Sequence, residues 1–289
     1  MSESLKGLFD EKLSEAEMVL VGLGNEFEVG AMTENDAITE NVMREQGASW
    51  LIPAYYEFSV RKDVIERRTK LKKALEGLAC LLLKKNCFIL SLSQGKLISE
   101  TKWREGRLVM PCGSITKKQC QHCCAGEEIE EISSMEEKGI QSLFDDFQKG
   151  IVFENQEYSD LQKMPQEVRM AMELIQKKEK IREEVCRLEN AVKELLGKCG
   201  HCGESLIFNV VQAKEYDEKG YLKNWEYYTK WLYGSMNRKL LILELGTAQT
   251  HPGLFGDAFQ KICELNPKAE RFLFQAENFE NAIDWLAKL

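Results

Sequence analysis

Segments typical of strands and of helices alternate along this chain, and this alternation limits the folds that it can adopt. Continuous apolar runs at residues 18–21, 87–93 and 239–246 predict buried strands, and residues 204–211 and 270–276 predict two more. Apolar residues at helical spacing occur beside these runs, at residues 4–17, 69–85, 224–236, 253–265 and 278–289. Because the runs leave the strands no polar face, both faces of the sheet must be covered. The pattern predicts an α/β fold, a Rossmann-like parallel sheet with helices on both faces.

Composition narrows the class of protein. The 289 residues are 44% hydrophobic and 30% charged, which suits one large domain or a domain with a small module. The formal net charge of -8 disfavours a surface for the phosphate backbone, so nucleic acid is not an expected partner. The start of the chain lacks the apolar core of a signal peptide, and no apolar run approaches the roughly 18 residues of a membrane span. We therefore expect a cytoplasmic protein without a membrane partner.

Two cysteine pairs have the spacing of metal ligands. Cys120-x2-Cys123 and Cys199-x2-Cys202 each place two thiolates on one tight turn, and tetrahedral zinc takes four such sulfur ligands. The separation of the two pairs far exceeds the roughly 15–20 residues of a compact zinc site, so a segment is inserted between them. The sequence predicts a structural zinc site of the zinc-ribbon type. The alternative is a group of reduced thiols that has lost its metal.

Other residues near the pairs are weaker candidates for the metal. Cys124 competes with Cys123 as a ligand, and His122 and His201 are lesser candidates. The remaining cysteines outside these motifs lie on apolar stripes or in a predicted strand, which predicts core positions for Cys80, Cys87, Cys186 and Cys263.

The inserted segment contains a long predicted helix at residues 165–196. Its apolar residues keep a heptad spacing, with Leu174, Ile181, Leu188 and Leu195 seven residues apart and Val185 and Val192 between them. One interpretation is a helix that lies on its own domain. The other is a protruding arm or a dimer contact, because the seam is narrower than a deeply buried face. Gly197 ends the helix.

The first apolar run ends in a glycine turn. Gly22 and Gly24 follow residues 18–21 directly, as at the first strand-to-helix turn of a dinucleotide-binding sheet. The alternative is a strand followed by any tight turn, because two glycines alone are a weak signal.

The order of these features resembles the sirtuins, the Sir2-like NAD-dependent protein deacylases and ADP-ribosyltransferases. "CGHCGESLIFNVV" is similar to the family's second zinc knuckle and the strand after it, and "KLLILELGTAQTHPGLFGDAFQKI" is similar to its cofactor-ribose segment. "AEMVLVGLGNE" matches the phosphate loop, and "MPCGSI" matches the His-Gly-Ser triplet. The resemblance implies a sirtuin-like NAD-binding fold with structural zinc. It implies cofactor contacts at Gly22, Gly24, Gly113, Ser114, Gly246 and Thr247, and zinc ligands at Cys120, Cys123, Cys199 and Cys202.

Several motif positions depart from the family. Cys112 stands where the family has its proton-accepting histidine, and Glu26 follows the glycine turn, where a carboxylate would repel a pyrophosphate. The family's Asn-x-Asp motif has no match in "LSLSQGKL", and its Pro-Asp-Phe-Arg stretch has none between residues 31 and 60. A thiol is a poor base near neutral pH, and as a nucleophile Cys112 needs a nearby cation or histidine, for which His251 is the candidate.

Together these features predict an organisation and a function. Residues 1–118 and 205–289 are predicted to form the NAD-binding-type domain, with residues 31–74 as a cofactor loop and small helical part. Residues 119–204 are predicted to form the zinc module, with the helix 165–196 inserted. The predicted function is a binding or interaction module with a degenerate site for NAD or ADP-ribose, and helix 165–196 as the surface for a protein partner. The alternative is an NAD-dependent mono-ADP-ribosyltransferase or deacylase with Cys112 in place of the catalytic histidine.

Overall fold

The computed structural model describes residues 3–28, 33–122, 129–151, 165–246, 253–275 and 277–289. The chain divides into two compact units. The first unit comprises Met1–Val29, Lys62–Ile115 and Glu218–Leu289, and the second comprises Gly30–Arg61 and Thr116–Asp217.

Helices and strands alternate over most of the described chain. The helices are α1 (Glu3–Glu15), α2 (Glu34–Glu45), α3 (Ile52–Glu57), α4 (Lys62–Leu82), α5 (Lys96–Glu100), α6 (Ser134–Gly150), α7 (Gln166–Leu196), α8 (Lys219–Tyr233), α9 (Gly256–Leu265) and α10 (Glu277–Leu286). The strands are β1 (Met18–Leu23), β2 (Asn86–Ser91), β3 (Leu108–Val109), β4 (Gly113–Cys120), β5 (Glu130–Glu131), β6 (Leu206–Val210), β7 (Leu240–Leu245) and β8 (Ala269–Phe274). Among the described helices, none is long and apolar enough to cross a membrane.

A five-stranded parallel sheet forms the centre of the first unit. Its order is β3-β2-β1-β7-β8, and every neighbouring pair is parallel. Val19 of β1 is in register with Cys87 of β2 and Leu241 of β7, so the predicted apolar runs lie side by side. All six residues of β1 and of β7 are buried, because these strands have helices on both faces.

Helices cover both faces of this sheet. On one face, α1, α4 and α10 contribute Phe9, Leu75 and Ile283 to a core that also contains Val21 and Leu243 of the sheet. On the other face, Phe88 of β2 packs against Tyr228 and Trp231 of α8, with ring centroids 5.3 and 5.7 Å apart. The predicted fold class, a Rossmann-like parallel sheet between two layers of helices, is confirmed.

The second unit combines a three-stranded sheet with helices. The sheet order is β5-β4-β6, and β4 pairs with β5 in antiparallel register. Helix α7 packs against α6 and α2. The aromatic residues between Trp50 and Phe58, which the sequence leaves irregular, pack inside this unit, with Trp50 against Phe208 and Phe58 stacked on Phe144.

The structure differs from two sequence expectations about which residues belong to which unit. Residues 204–211 were expected in the parallel sheet, but β6 belongs to the three-stranded sheet of the second unit. All five of its residues are buried, so its pattern does not tell which sheet it joins. The second unit also extends beyond residues 119–204, because it takes in Gly30–Arg61 with α2 and α3.

The C-terminal half of helix α7 fits the interpretation of a helix that lies on its own domain. In its C-terminal half the seam is buried in the second unit, with Ile181, Val185, Leu188 and Val192 each 4% exposed or less. In its N-terminal half Leu174 is 42% exposed, so the seam does not stay buried along the whole helix.

The prediction of four core cysteines is wrong in three cases. Cys87 of β2 is buried, but Cys80 and Cys186 are exposed and Cys263 is partly buried. Cys80 and Cys186 each lie beside a stripe residue on their helices rather than on the stripe, because Leu78, Leu82 and Val185 take the buried positions.

Candidate functional site

The glycines of the predicted cofactor site lie at the carboxyl edge of two neighbouring strands. Gly22 and Gly24 come from β1 and its end, and Gly246 follows β7 directly. Because β1 and β7 are adjacent and parallel, these residues meet at the same edge of the sheet. The amide N–H of Gly24 donates to the carbonyl of Leu245 at 2.8 Å, which ties the two strand ends together.

Gly22 is required by packing. A Cβ at this position would lie 2.5 Å from Cε2 of Phe259 and 3.1 Å from Cε2 of Phe255. Both rings are buried and stack on each other with centroids 5.1 Å apart, so they cannot move aside cheaply. Gly22 therefore gives α9 its close approach to the sheet.

Gly246 is required by backbone conformation and by a neighbouring carboxylate. Its φ of +87° lies in the left-handed region, which favours glycine. A Cβ on Gly246 would overlap the Glu26 carboxylate and would lie 3.4 Å from the Cα of Gly24. The carboxylate of Glu26 thus lies beside Gly246, at an edge where a dinucleotide site would present backbone N–H groups to a phosphate.

Cys112 is buried near the residues that follow β2. Its side chain is 2% exposed, and its carbonyl accepts a hydrogen bond from Nε2 of Gln94 at 2.7 Å. Gly113 follows with a φ of +85°, and its N–H donates to the carbonyl of Met110 at 3.0 Å. Ser114 is also buried. The "MPCGSI" segment therefore forms a fixed, buried turn into β4.

Burial and a carboxylate keep the Cys112 thiol protonated. Burial is the larger cause and the negative charge of Glu28 the smaller, and together they raise the pKa of Cys112 to about 12. The Glu28 carboxylate also accepts a hydrogen bond from the backbone N–H of Gln94 at 2.5 Å. A thiol in this state is neither a base nor a nucleophile near neutral pH.

Sequence reasoning missed Gln94, Glu28 and the pair Glu244–Arg271. Glu244 is 1% exposed on β7, and Arg271 Nε donates to its carboxylate at 3.0 Å. Burial raises the pKa of Glu244 in spite of Arg271, and the charge of Glu26 acts in the same direction. Glu28 and Gln94 follow the predicted strands β1 and β2, and this position could have marked them as site residues. A single charged residue inside the apolar run "LLILELG" was the signal for Glu244.

Three cysteines of the predicted metal site come together in the second unit. We call Cys120, Cys199 and Cys202 the cysteine knuckle. Their sulfur atoms all lie within 4.8 Å of one another, and Sγ of Cys120 is 3.5 Å from Sγ of Cys202. Zinc–sulfur bonds of about 2.3 Å at tetrahedral angles separate sulfurs by about 3.8 Å, so the knuckle fits this metal.

The backbone around the knuckle forms a tight, hydrogen-bonded turn. The N–H of Cys199 donates to the carbonyl of Glu204 at 2.7 Å, and the N–H of Gly203 donates to the carbonyl of Cys199 at 2.9 Å. The N–H of Cys202 approaches Sγ of Cys199 at 3.4 Å. Gly203 has a φ of +76°, which its position in the turn requires. Cys123, Cys124, Thr247 and His251 lie outside the described residues.

The state of Cys112 predicts its reactivity. With a pKa of about 12, about 1 in 10,000 of its thiols is ionised at pH 8. We expect iodoacetamide to alkylate the exposed Cys80 and Cys186 in the folded protein and to leave Cys112 unmodified between pH 7 and 9. Peptide mass mapping measures which cysteines are alkylated.

The raised pKa of Cys112 also affects the pH dependence of stability. Because folding raises this pKa, the stability that the neutral thiol contributes is present below about pH 8.5 and declines as the pH rises towards 12. Rapid alkylation of Cys112 at pH 7 would contradict the buried thiol.

No protein-family model and no curated protein matches the chain. Among solved structures, the chain is similar to a mutant Sir2 homologue in complex with ADP-ribose, with 13% identity and a TM-score of 0.47 over 100% of this chain and 96% of that chain. It is similar to a Sir2 homolog–NAD complex, with 12% identity and a TM-score of 0.46 over 100% and 93% of the two chains. It is also similar to Sir2Tm bound to a propionylated peptide, with 10% identity and a TM-score of 0.46 over 98% and 95%. These structures come from the family that the sequence resembles, and a likeness at this level concerns the fold alone.

Proposed function

We propose that this chain is a divergent sirtuin-like protein with a degenerate nucleotide site, and that it works as a binding module rather than as a catalyst. The state of Cys112 carries this proposal. The residue at the position of the family's proton-accepting histidine is a thiol that is 2% exposed, with a pKa raised to about 12 by burial and by Glu28. A thiol of this kind takes no proton from a ribose hydroxyl at neutral pH.

The charges at the carboxyl edge support weak binding of NAD or ADP-ribose at most. The Glu26 carboxylate lies beside Gly246, and the Glu28 carboxylate accepts a hydrogen bond from the backbone N–H of Gln94. A pyrophosphate carries two negative charges, and each carboxylate within about 4 Å of it opposes binding by about 1–4 kcal/mol. The residues at this edge therefore do not fit the phosphates of a dinucleotide.

In the described residues that directly follow β1, 24–28, no α-helix begins. Gly24 leads into a three-residue 3-10 turn, Asn25–Phe27, and α2 begins at Glu34 in the second unit. Phosphate binding after a first strand uses the N–H groups and the dipole at the start of an α-helix. A single 3-10 turn supplies few free N–H groups and only a small dipole, so this turn is poorly suited to bind a phosphate.

Calorimetry with NAD and with ADP-ribose tests the proposal. We expect the wild-type chain to bind both more weakly than about 1 mM, and to release no nicotinamide from NAD with or without an acylated peptide. We expect Cys112→His alone to stay inactive, because Glu26 and Glu28 remain. The double variant Glu26→Gln, Glu28→Gln is expected to bind ADP-ribose at least tenfold more tightly, since it removes both charges and keeps side chains of the same shape.

Glu66→Gln is the matched control, because Glu66 has a side chain that is 67% exposed and lies in α4. It is expected to leave binding unchanged. Micromolar NAD binding by the wild-type chain, or nicotinamide release that Cys112→Ser abolishes, would overturn the proposal. Either result would favour the alternative, an NAD-dependent mono-ADP-ribosyltransferase or deacylase.

The second unit supplies the structural and binding parts of this proposal. Zinc at the cysteine knuckle would join the end of β4 to the turn after α7, a closed site that holds a fold together and does no chemistry. The exposed apolar side chains in the first half of α7 are the surface that we propose for a protein partner. They are Val168, Met170, Leu174 and Ile175, each more than two-fifths exposed.

A further inference from the structure

The thiols of the cysteine knuckle differ sharply in their access to solvent. Cys120 and Cys199 are each 2% exposed, whereas Cys202 is exposed. A small oxidant in solution therefore reaches Cys202 first. Cys120 is a partner within reach of an oxidised Cys202, because its Sγ lies 3.5 Å away although the two residues are 82 positions apart in the chain.

We propose that Cys202 and Cys120 are an oxidation site, which a peroxide converts into a disulfide when the knuckle holds no metal. A disulfide bond is about 2.05 Å long, so the two sulfurs need to approach by about 1.5 Å. Cys199 is the competing partner, but its sulfur already accepts the N–H of Cys202 at 3.4 Å within the same turn. This inference goes beyond the proposed function, and it uses the geometry of the knuckle rather than its metal.

The oxidation proceeds in two balanced steps. The sulfur of Cys202 attacks one oxygen of hydrogen peroxide, the O–O bond breaks, and the products are a sulfenic acid and water. The sulfur of Cys120 then attacks the sulfenic sulfur, the S–O bond breaks, and a second water leaves with the Cys120 proton. Two thiols are oxidised and one peroxide is reduced, so the two electrons that the thiols lose are the two that the peroxide gains.

Oxidation and metal binding exclude each other. The disulfide takes two of the three described sulfur ligands, and a disulfide sulfur is a far weaker zinc ligand than a thiolate. The knuckle therefore has two closed states, a zinc state and a disulfide state. In both states the end of β4 is joined to the turn that follows α7.

Peroxide treatment of the full chain with peptide mapping tests the inference. Zinc content is measured first, then the metal is removed with a chelator and hydrogen peroxide is added at increasing ratios. Non-reducing peptide maps are expected to show a Cys120–Cys202 crosslink, with loss of both free thiols. Cys186 and Cys80 are exposed like Cys202, and they serve as internal controls that are expected to enter no crosslink within the chain.

Two variants separate the steps. Cys120→Ser is expected to stop at a Cys202 sulfenic acid that dimedone traps, and Cys186→Ser is expected to keep the wild-type crosslink. A wild-type map with Cys202 joined to Cys199 or to another cysteine, or with no crosslink at all, would overturn the inference without any need for a variant. If the purified chain holds far less than one zinc while the crosslink forms, the metal proposal fails and the oxidation site stands.

Discussion

Asp36→Asn is expected to lower the free energy of unfolding by about 3 kcal/mol. Asp36 is 0% exposed, and its carboxylate accepts hydrogen bonds from the hydroxyl of Tyr55 at 3.0 Å and from the N–H of Thr33 at 2.9 Å. Arg61 forms an ion pair with the same carboxylate. Asparagine offers one oxygen instead of two, so donors that met a carboxylate would meet an NH2 group, and Arg61 would lose its counter-charge.

Asp146→Asn is the matched control for this substitution. Asp146 pairs with Lys149 at 3.2 Å, but both side chains are more than 70% exposed, so we expect a change below about 0.5 kcal/mol. Urea unfolding followed by the fluorescence of the buried Trp50, which lies in the same unit, measures both variants. Equal costs for the two variants would mean that Asp36 is not the buried centre of this network.

The Asp36 network also bears on residues 31–74, which the sequence analysis assigns in part to a cofactor loop. Asp36 closes a capping box with Thr33 at the start of α2, and Tyr55 ties α3 to the same carboxylate. Burial and the charge of Asp36 raise the pKa of the Tyr55 hydroxyl, which stays a hydrogen-bond donor throughout the physiological range. Helices α2 and α3 are thus held together within the second unit by buried polar contacts, whereas residues 62–74 belong to α4 of the first unit.

Ile181→Ala is expected to cost about 3 kcal/mol of unfolding free energy, and Ile175→Ala less than about 0.5 kcal/mol. The two isoleucines lie six residues apart on α7, but Ile181 is 1% exposed and Ile175 is 56% exposed. Truncating Ile181 removes a buried side chain and leaves a cavity, whereas truncating Ile175 removes surface that already meets water. The same substitution on one helix thus isolates the effect of burial.

Denaturant unfolding of the two alanine variants measures the difference. A large cost for Ile175→Ala that grows with protein concentration would show that a second copy covers the first half of α7. A large cost that does not depend on concentration would contradict the exposure of this half, and with it the proposed partner surface.

The parallel sheet could be predicted because β1, β2 and β7 are short, continuous apolar runs. Strands that are apolar on both faces must be buried on both faces. The three-stranded sheet could not, because β6 has the same buried character and periodicity carries no information on which neighbour a strand chooses. Cys199 and Cys202 lie on one tight turn, as their spacing predicts, and Cys120 lies beside them although it is distant in sequence. The effect of Glu28 on the pKa of Cys112 could not be predicted from the sequence, because it depends on the folded chain bringing these two distant residues close together.

Gly22 has a structural role that does not depend on any ligand. The rings of Phe255 and Phe259 leave no space for a side chain on β1 at this point, so an alanine there would damage the fold with or without any nucleotide. Loss of function in a Gly22 variant would therefore be a folding defect that looks like a binding defect. Gly22 at the end of β1 is thus explained by the packing of two phenylalanines, whether or not a nucleotide binds at this edge.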